Sequence, residues 1–246
     1  MRDLTGNLPP LLGVFPDYSA PIVRIAPDGV RELAMARWGM PSPAFAIAGK
    51  KTDPGVTNIR NVKSSHWRRW LGVESRCIVP FTSFAENEVL PDGSRPPVWF
   101  AFDDSRPLAF FAGIWTRWTS VRKVREGETT NDLFGFLTTE PNAIVGAVHA
   151  KAMPVILTKP DEIEMWMSAP APEALKLPRA LPDDALRVVA RDRRRTWQPT
   201  PCGSTHCSQA GRRVVTERRS KFYGNGYASC RESKSAFPIL SWPASG

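Results

Sequence analysis

Apolar positions in the first 190 residues fall in short runs separated by Pro and Gly, some alternating with polar residues and some continuously apolar. That texture predicts strands more than helices. The runs expected as strands are Pro21 to Ile25, Arg31 to Trp38, Arg76 to Phe84, Val98 to Phe102, Leu108 to Trp115, Leu133 to Thr138 and Met153 to Leu157. A set of this kind packs as a folded antiparallel sheet or barrel.

Two helices are expected between the strands. In Ser64-Ser65-His66-Trp67-Arg68-Arg69-Trp70-Leu71-Gly72 a serine can cap the first amides. Trp67, Trp70 and Leu71 recur at i, i+3 and i+4, and Gly72 suits a left-handed C′ position. Arg68 and Arg69 fall off that apolar stripe. Thr158-Lys159-Pro160-Asp161 opens the second helix with a cap, an early proline and an acidic first turn, and turns Ile163, Trp166 and Met167 inward.

The pattern stops near Val189, so residues 1–190 read as one domain. From Arg191 to Gly246 the chain is Arg-rich, then Pro-, Gly- and Ser-rich with no sustained period, and reads as a basic, disordered tail. Charge changes the picture in the same place. The chain carries a formal +9, but 11 Lys/Arg against 3 Asp/Glu lie from Arg191 onward, leaving 22 against 21 before it. The body is nearly neutral, and a polyanion partner has to be argued from a local cluster within it.

With 42% hydrophobic and 23% charged residues the composition is globular. No apolar run approaches the roughly 20 residues that cross a bilayer, and no secretory leader opens the chain. A cytoplasmic protein, nucleoid-associated when bound to DNA, is the expectation, with no membrane partner. Four unevenly spaced cysteines do not make a disulfide framework. Cys202, His206, Cys207 and Cys230 lack the paired spacing of a zinc site, so no metal is expected. Without a repeat or a Gly-rich phosphate loop, no small-molecule cofactor is expected either.

Three groups of polar residues bear on chemistry. Between Arg60 and Arg76 stand five basic residues and one acid, interleaved with Trp67 and Trp70, a mixture that pairs phosphates while bases stack on rings. The same residues also make a solvated helix face over core tryptophans, and composition alone leans toward that reading. Glu86, at the end of the Arg76 to Glu86 run, is either a desolvated proton shuttle at a barrel mouth or an exposed glutamate. His149, just before an apolar strand, is either structural or a proton-transfer group suited to neutral pH.

Ala36-Arg37-Trp38-Gly39-Met40-Pro41, Asn58-Ile59-Arg60, Arg76-Cys77-Ile78-Val79-Pro80 through Phe84-Ala85-Glu86, Phe111-Ala112-Gly113-Ile114-Trp115, Phe136 to Asn142, and His149-Ala150-Lys151-Ala152-Met153-Pro154-Val155-Ile156-Leu157 occur in this order. Together they resemble the SOS-response-associated peptidase (SRAP) family over roughly Leu11 to Val189. The resemblance implies an α+β fold, a barrel-like antiparallel β-sheet core with flanking helices and a basic channel. It implies a partner, single-stranded DNA containing abasic sites, and a self-processing peptidase and lyase-like crosslinking chemistry of the DNA damage response. In the family a cysteine at the second position captures the ring-opened sugar as a thiazolidine. By motif position Asn58 would orient the sugar, Glu86 would handle protons at the α-amine and His149 would act on the sugar oxygen. Arg60 with Arg68 or Arg69 would hold phosphates, Trp38 would line the channel, and Trp67 and Lys151 complete the expected DNA contacts.

One departure accompanies the match. Where family members begin Met-Cys followed by about twenty residues of strand and helix, this chain reads Met1-Arg2-Asp3. The family's nucleophile is therefore expected to lie outside this sequence. Cys77 does not replace it, because a thiazolidine needs thiol and amine on one residue. Two rivals stay open: a non-catalytic single-stranded-DNA-binding module, and a defective relic.

Overall fold

The structure is a computed structural model and describes residues 1–191 apart from Pro10 and Leu12; the expected tail from residue 192 on, with its three cysteines and His206, lies outside the described residues. Twelve strands run in chain order: β1 (Arg2–Asp3), β2 (Ser19–Ile25), β3 (Arg31–Trp38), β4 (Asn58–Ile59), β5 (Arg76–Phe81), β6 (Phe84–Asn87), β7 (Pro97–Ala101), β8 (Ala109–Val121), β9 (Glu128–Thr139), β10 (Met153–Pro154), β11 (Ile156–Leu157) and β12 (Arg187–Arg191). Five short helices join them, α1 (Ala44–Ile47), α2 (Ser65–Arg68), α3 (Ala143–Gly146), α4 (Pro160–Ser168) and α5 (Ala171–Ala174). The architecture is α+β, dominated by β.

Strands β3, β2, β5, β8 and β9 pair antiparallel in that order, and β9 returns to β3 in parallel through Arg37↔Leu133 and Trp38↔Phe134. The sheet thus closes into a five-stranded barrel. Strand periodicity of two then sorts the side chains. Ala20, Ile22, Ala36, Trp38, Cys77, Val79, Phe81, Phe111, Phe134 and Phe136 fill the inside. Val23, Leu33, Ile78, Ala112, Ile114, Leu133 and Leu137 belong to a second cluster with Trp67 and Trp70 beside α2 and Trp166 and Met167 of α4. Two buried faces explain why β5 is buried throughout and why its apolar run from Cys77 to Phe81 does not alternate.

Local chemistry sets the element ends. The Ser64 side chain accepts from the His66 amide, as expected of a cap, but α2 is a single turn and Gly72 sits extended at φ −69° instead of left-handed. Glu162, one turn into α4, accepts from both the amide and hydroxyl of Thr158 at 2.8 and 3.1 Å, fixing the chain entry. The expected strand Arg76 to Phe84 is broken at Thr82-Ser83, where the chain leaves the barrel for a small sheet ordered β12-β7-β6. Glu86 rides on that second sheet, opposite Val98. The Met153 to Leu157 run likewise splits, β10 pairing with β9 and β11 with β8.

Arg76 leaves the expected basic cluster. It is almost wholly buried, and its guanidinium donates to the carbonyls of Leu71, Trp166 and Ala169 at 3.0, 2.6 and 2.6 Å. The last two are carbonyls at the end of α4, where a cation meets the negative end of the helix.

The fully buried side chain of Arg122, just beyond β8, ties the barrel seam together. It donates to Asp17 Oδ1 at 3.1 Å and to the carbonyls of Gly39 at 3.2 Å and Pro54 at 3.4 Å. A Cβ on Gly39 or on Gly55 would stand 2.4 Å from its Nη2. Both glycines have positive φ, 138° and 74°. Asp17 also accepts from Arg37 and Lys123, and these cations hold its carboxylate far below the usual range against the opposing effect of burial. Arg122→Leu should lower the unfolding free energy by about 3 kcal/mol, because it leaves two carbonyls and a carboxylate short of donors. Gly55→Ala should cost a similar amount, about 2 to 4 kcal/mol, through strain and the blocked guanidinium. Urea midpoints at unchanged slope measure both; a Gly55→Ala protein as stable as the parent would show that the guanidinium can move aside.

Candidate functional site

The motif residues meet at the C-terminal end of β9. β4 lies parallel to it, with Asn58 beside Phe136 and Ile59 beside Leu137, and β10 pairs with Thr138 and Thr139. Between them runs the turn that carries His149 and Lys151. Its approach is fixed by Asn142, whose side chain caps α3 by accepting from the Val145 amide, while the His149 amide donates to the Val145 carbonyl at 2.8 Å. Asn142 Nδ2 also donates to the Pro182 carbonyl at 3.1 Å.

His149 and Glu86 face each other across this turn. His149 Nδ1 lies 3.1 Å from the Ala152 carbonyl and 3.3 Å from Glu86 Oε1. The Glu86 side chain is 1% exposed and that of His149 27% exposed, so one member is sealed and the other reaches the surface. Burial pushes the Glu86 carboxyl above its usual range, and the neighbouring His149 only partly offsets this. The Glu86 contact raises His149 above its usual value, against a smaller opposing effect of burial.

Two buried acceptors at the site, Glu86 Oε1 and Asn58 Oδ1, find no hydrogen-bond donor among the described residues. For Glu86 Oε1, the 3.3 Å approach of His149 is an ion-pair contact without hydrogen-bond geometry. Buried acceptors left without a donor are costly. Such atoms suit a site that meets a polar ligand.

The cations stand on the rim. Arg60, two residues beyond Asn58, donates to the Lys151 carbonyl and to Glu140 Oε1, the latter at 2.6 Å. Its pair with the exposed Glu140 is a surface contact of small worth, readily exchanged for another anion. Lys151, Arg68 and Arg69 are exposed. Trp38 and Trp67, expected among the DNA contacts, lie in the core: Trp38 stacks on Phe134 and Phe136 and donates its Nε1 proton to the Thr57 carbonyl, and Trp67 is 7% exposed. Trp38 therefore forms the floor beneath the site and presents no wall to a ligand. Arg68 ends α2 and Arg69 is its C-cap, apart from the contacts of Arg60 with Lys151 and Glu140 and of Glu86 with His149.

Among the described residues no group of three His, Cys, Asp or Glu is disposed to hold a metal, and no helix is long and apolar enough to cross a membrane. The sequence reading missed Asn142, Glu140 and the Arg122 clamp. Asn142 had a visible signal, a capping residue before Ala143-Ile144-Val145, whereas Glu140 and Arg122 look like ordinary surface charges in the sequence.

A sequence model of the family described as SOS response associated peptidase (SRAP) matches residues 2–193. The chain belongs to this family. The abasic site processing protein YoqW of Bacillus subtilis (strain 168) is 32% identical over 169 residues, 66% of this chain and 69% of that protein. YoaM of the same bacterium, also named an abasic site processing protein, is 30% identical over 167 residues, 66% of this chain and 68% of that one. A crystal structure of a protein from Bordetella bronchiseptica shares the SRAP domain's fold at a TM-score of 0.58 and 24% identity, covering 76% of this chain and 90% of that one.

The Glu86–His149 contact makes a pH prediction for this SRAP domain. Both groups hold their protons more tightly folded than unfolded, so the pair's contribution is fullest at low pH and fades as the pH rises through their folded values. For His149 that loss begins near the ordinary histidine value of about 6.5. Glu86→Gln should flatten this part of the stability curve and lower the His149 titration midpoint, read from ring-proton NMR. An unmoved midpoint would mean that the two side chains do not interact in solution.

Proposed function

We propose that the chain is an abasic-site-processing protein that acts on single-stranded DNA in the DNA damage response. The observation that carries this is the sealed Glu86 carboxyl in contact with the half-buried His149, next to the exposed cations of Arg60 and Lys151. The names of the relatives YoqW and YoaM point the same way.

An abasic deoxyribose is a cyclic hemiacetal, and opening it takes a proton from the C1′ hydroxyl and delivers one to the ring oxygen. His149, an imidazole that is partly exposed, is the group that exchanges a proton with the sugar oxygen. Glu86 supplies the buried carboxyl for the second transfer, at the amine that condenses with the aldehyde. Asn58, with its unpaired Oδ1, accepts from a sugar hydroxyl and orients it. Arg60 exchanges Glu140 for a phosphate, and Lys151, Arg68 and Arg69 add charge along the strand.

The capture step rests on an amine and thiol that the described residues do not bring to this site. Cys77 is fully buried, and burial drives its thiol far above the usual range. Met1 lies beside β1, which pairs with Glu32 and Leu33 at the far end of β3 from Trp38. Leu33 and Trp38 are five residue steps apart along the extended strand, roughly 17 Å. For these 246 residues taken alone, a second reading is single-strand binding without covalent capture.

The two readings separate on an oligonucleotide bearing one abasic site. The 246-residue chain is expected to shift it on a native gel and to give no product that survives boiling in detergent; a heat-stable product would sink the non-covalent reading. With a family-like Met-Cys segment placed ahead of Met1, heat-stable crosslinks should form. In that background Glu86→Gln should slow capture, and His149→Ala should slow ring opening, by about 10² to 10⁴ each. Full-speed capture by either variant would remove that residue from the mechanism. Arg60→Ala should weaken binding and reduce the salt slope by about 0.7, one phosphate's worth.

A further inference from the structure

Away from Glu86 and His149 the fold builds a second concavity of about 480 Å³. One wall is the distal part of the β8–β9 hairpin, Trp118 to Val121; another is α2 with His66, Arg69 and Trp70; the third is the segment from Pro41 through α1 to Asp53. None of Asn58, Glu86 or His149 lines it.

Its chemistry is uneven in a specific way. Aromatic rings line the base: Trp118 meets Trp70 edge-on at 6.1 Å, and Trp70 meets His66 edge-on at 5.2 Å. Trp118 is 38% exposed, although it lies on a strand and packs on a buried ring. The rim is cationic. Lys50 and Lys51 are exposed on one side, and on the other the Arg69 guanidinium lies 4.9 Å from the centre of the Trp70 ring. The carboxylate in the lining belongs to Asp53, which is buried and accepts from the amides of Ser42 and Gly55 at 3.1 and 2.8 Å. Its oxygens are turned to the protein backbone, which leaves the open rim to the cations. Ser120 adds a buried hydroxyl with no hydrogen-bond partner among the described residues.

An exposed indole over a cationic rim, with an unused hydroxyl in the wall, complements a planar ring carrying phosphate. The volume fits one small organic group, within the roughly 300 to 1,000 Å³ of small-ligand sites, and is too small for a duplex. We propose that this groove is a nucleotide subsite, distinct from the Glu86–His149 site, that seats one base of a DNA single strand on Trp118 and its flanking phosphates on Lys50, Lys51 and Arg69. The inference rests on the DNA reading above and deepens it, because it assigns the protein a grip on an intact nucleotide as well as on the lesion.

The test uses the full chain and a fluorescent undamaged oligothymidylate of twelve nucleotides, with affinity followed by anisotropy over a range of salt. Trp118→Ala should weaken binding about tenfold, the loss expected for one stacked base, and Trp118→Phe should restore most of it. Lys50→Ala with Lys51→Ala should lower the salt slope by about 1.4, two phosphates at about 0.7 each for a single strand. Thermal melts matching the parent show that these exposed changes leave the fold intact. If the groove variants bind like the parent while Arg60→Ala binds more weakly, the subsite is overturned and the DNA reading stands. If Arg60→Ala is also without effect, both fall. Displacement of the DNA by oligoglutamate of equal charge, with no loss in Trp118→Ala, would show a mere cationic patch and overturn the proposal.

Discussion

A charge buried without water has to be surrounded by oxygen, and Arg122 imposes that requirement on the barrel seam. Its guanidinium draws the Asp17 carboxylate, the Gly39 carbonyl and the Pro54 carbonyl to one point. These atoms belong to the approach to β2, the exit of β3 and the approach to β4. The closeness demanded is such that side chains at positions 39 and 55 have no room. Asp17 then holds Arg37, and Arg37 and Trp38 are the residues through which β3 meets β9. Closure of the barrel, the placement of Asn58 and the seating of Trp38 thus share one electrostatic origin. Such a cluster is a poor source of net stability compared with apolar packing, but it permits one arrangement of the three segments and penalises the rest.

The site inherits this rigidity and adds a gradient of polarity. Its floor is apolar rings, its middle is a carboxyl and an amide kept from water, and its rim is cations with exposed partners. On the function proposed above, a phosphate is held where screening is strong and exchange is quick, while proton transfer takes place where charges are costly and pKa values move. That the carboxyl comes from the small sheet and the histidine from the turn after α3 places the pair across two layers. Neither layer alone carries the pair.

How much of this was visible in the sequence differs from element to element. β3 appears with the expected bounds, Arg31 to Trp38, because a buried strand between turn residues leaves a clear pattern. β8 and β9 run past the expected ends at Trp115 and Leu133, because the distal hairpin is an exposed ribbon held by backbone pairing and contacts such as Thr119 to Thr130. Such a ribbon needs no apolar period. The break at Thr82-Ser83 leaves little mark in the sequence because it holds no Gly, Pro, Asn or Asp and both residues are buried. Trp38, Trp67 and Arg76 show the limit for site residues. Indole and guanidinium serve a nucleic-acid surface and a protein core equally well, and composition does not say which face of an element they occupy. Glu86 and His149, by contrast, stood out through motif order, and the fold brings them within 3.3 Å.

The seam between β3 and β9 also bears on how the chain reaches its fold. The β8–β9 hairpin closes over a short turn at Val121 and Glu128, while the seam joins Trp38 to Phe134, roughly a hundred positions apart, through two residue pairs. Loop-closure entropy makes local hairpins early events and this parallel contact a late one. The ring of strands is then acquired as an open sheet that curls shut last. The closing line runs beside Trp38 and Asn58, so the floor of the site and the Arg122 clamp take their final form together, after the hairpins.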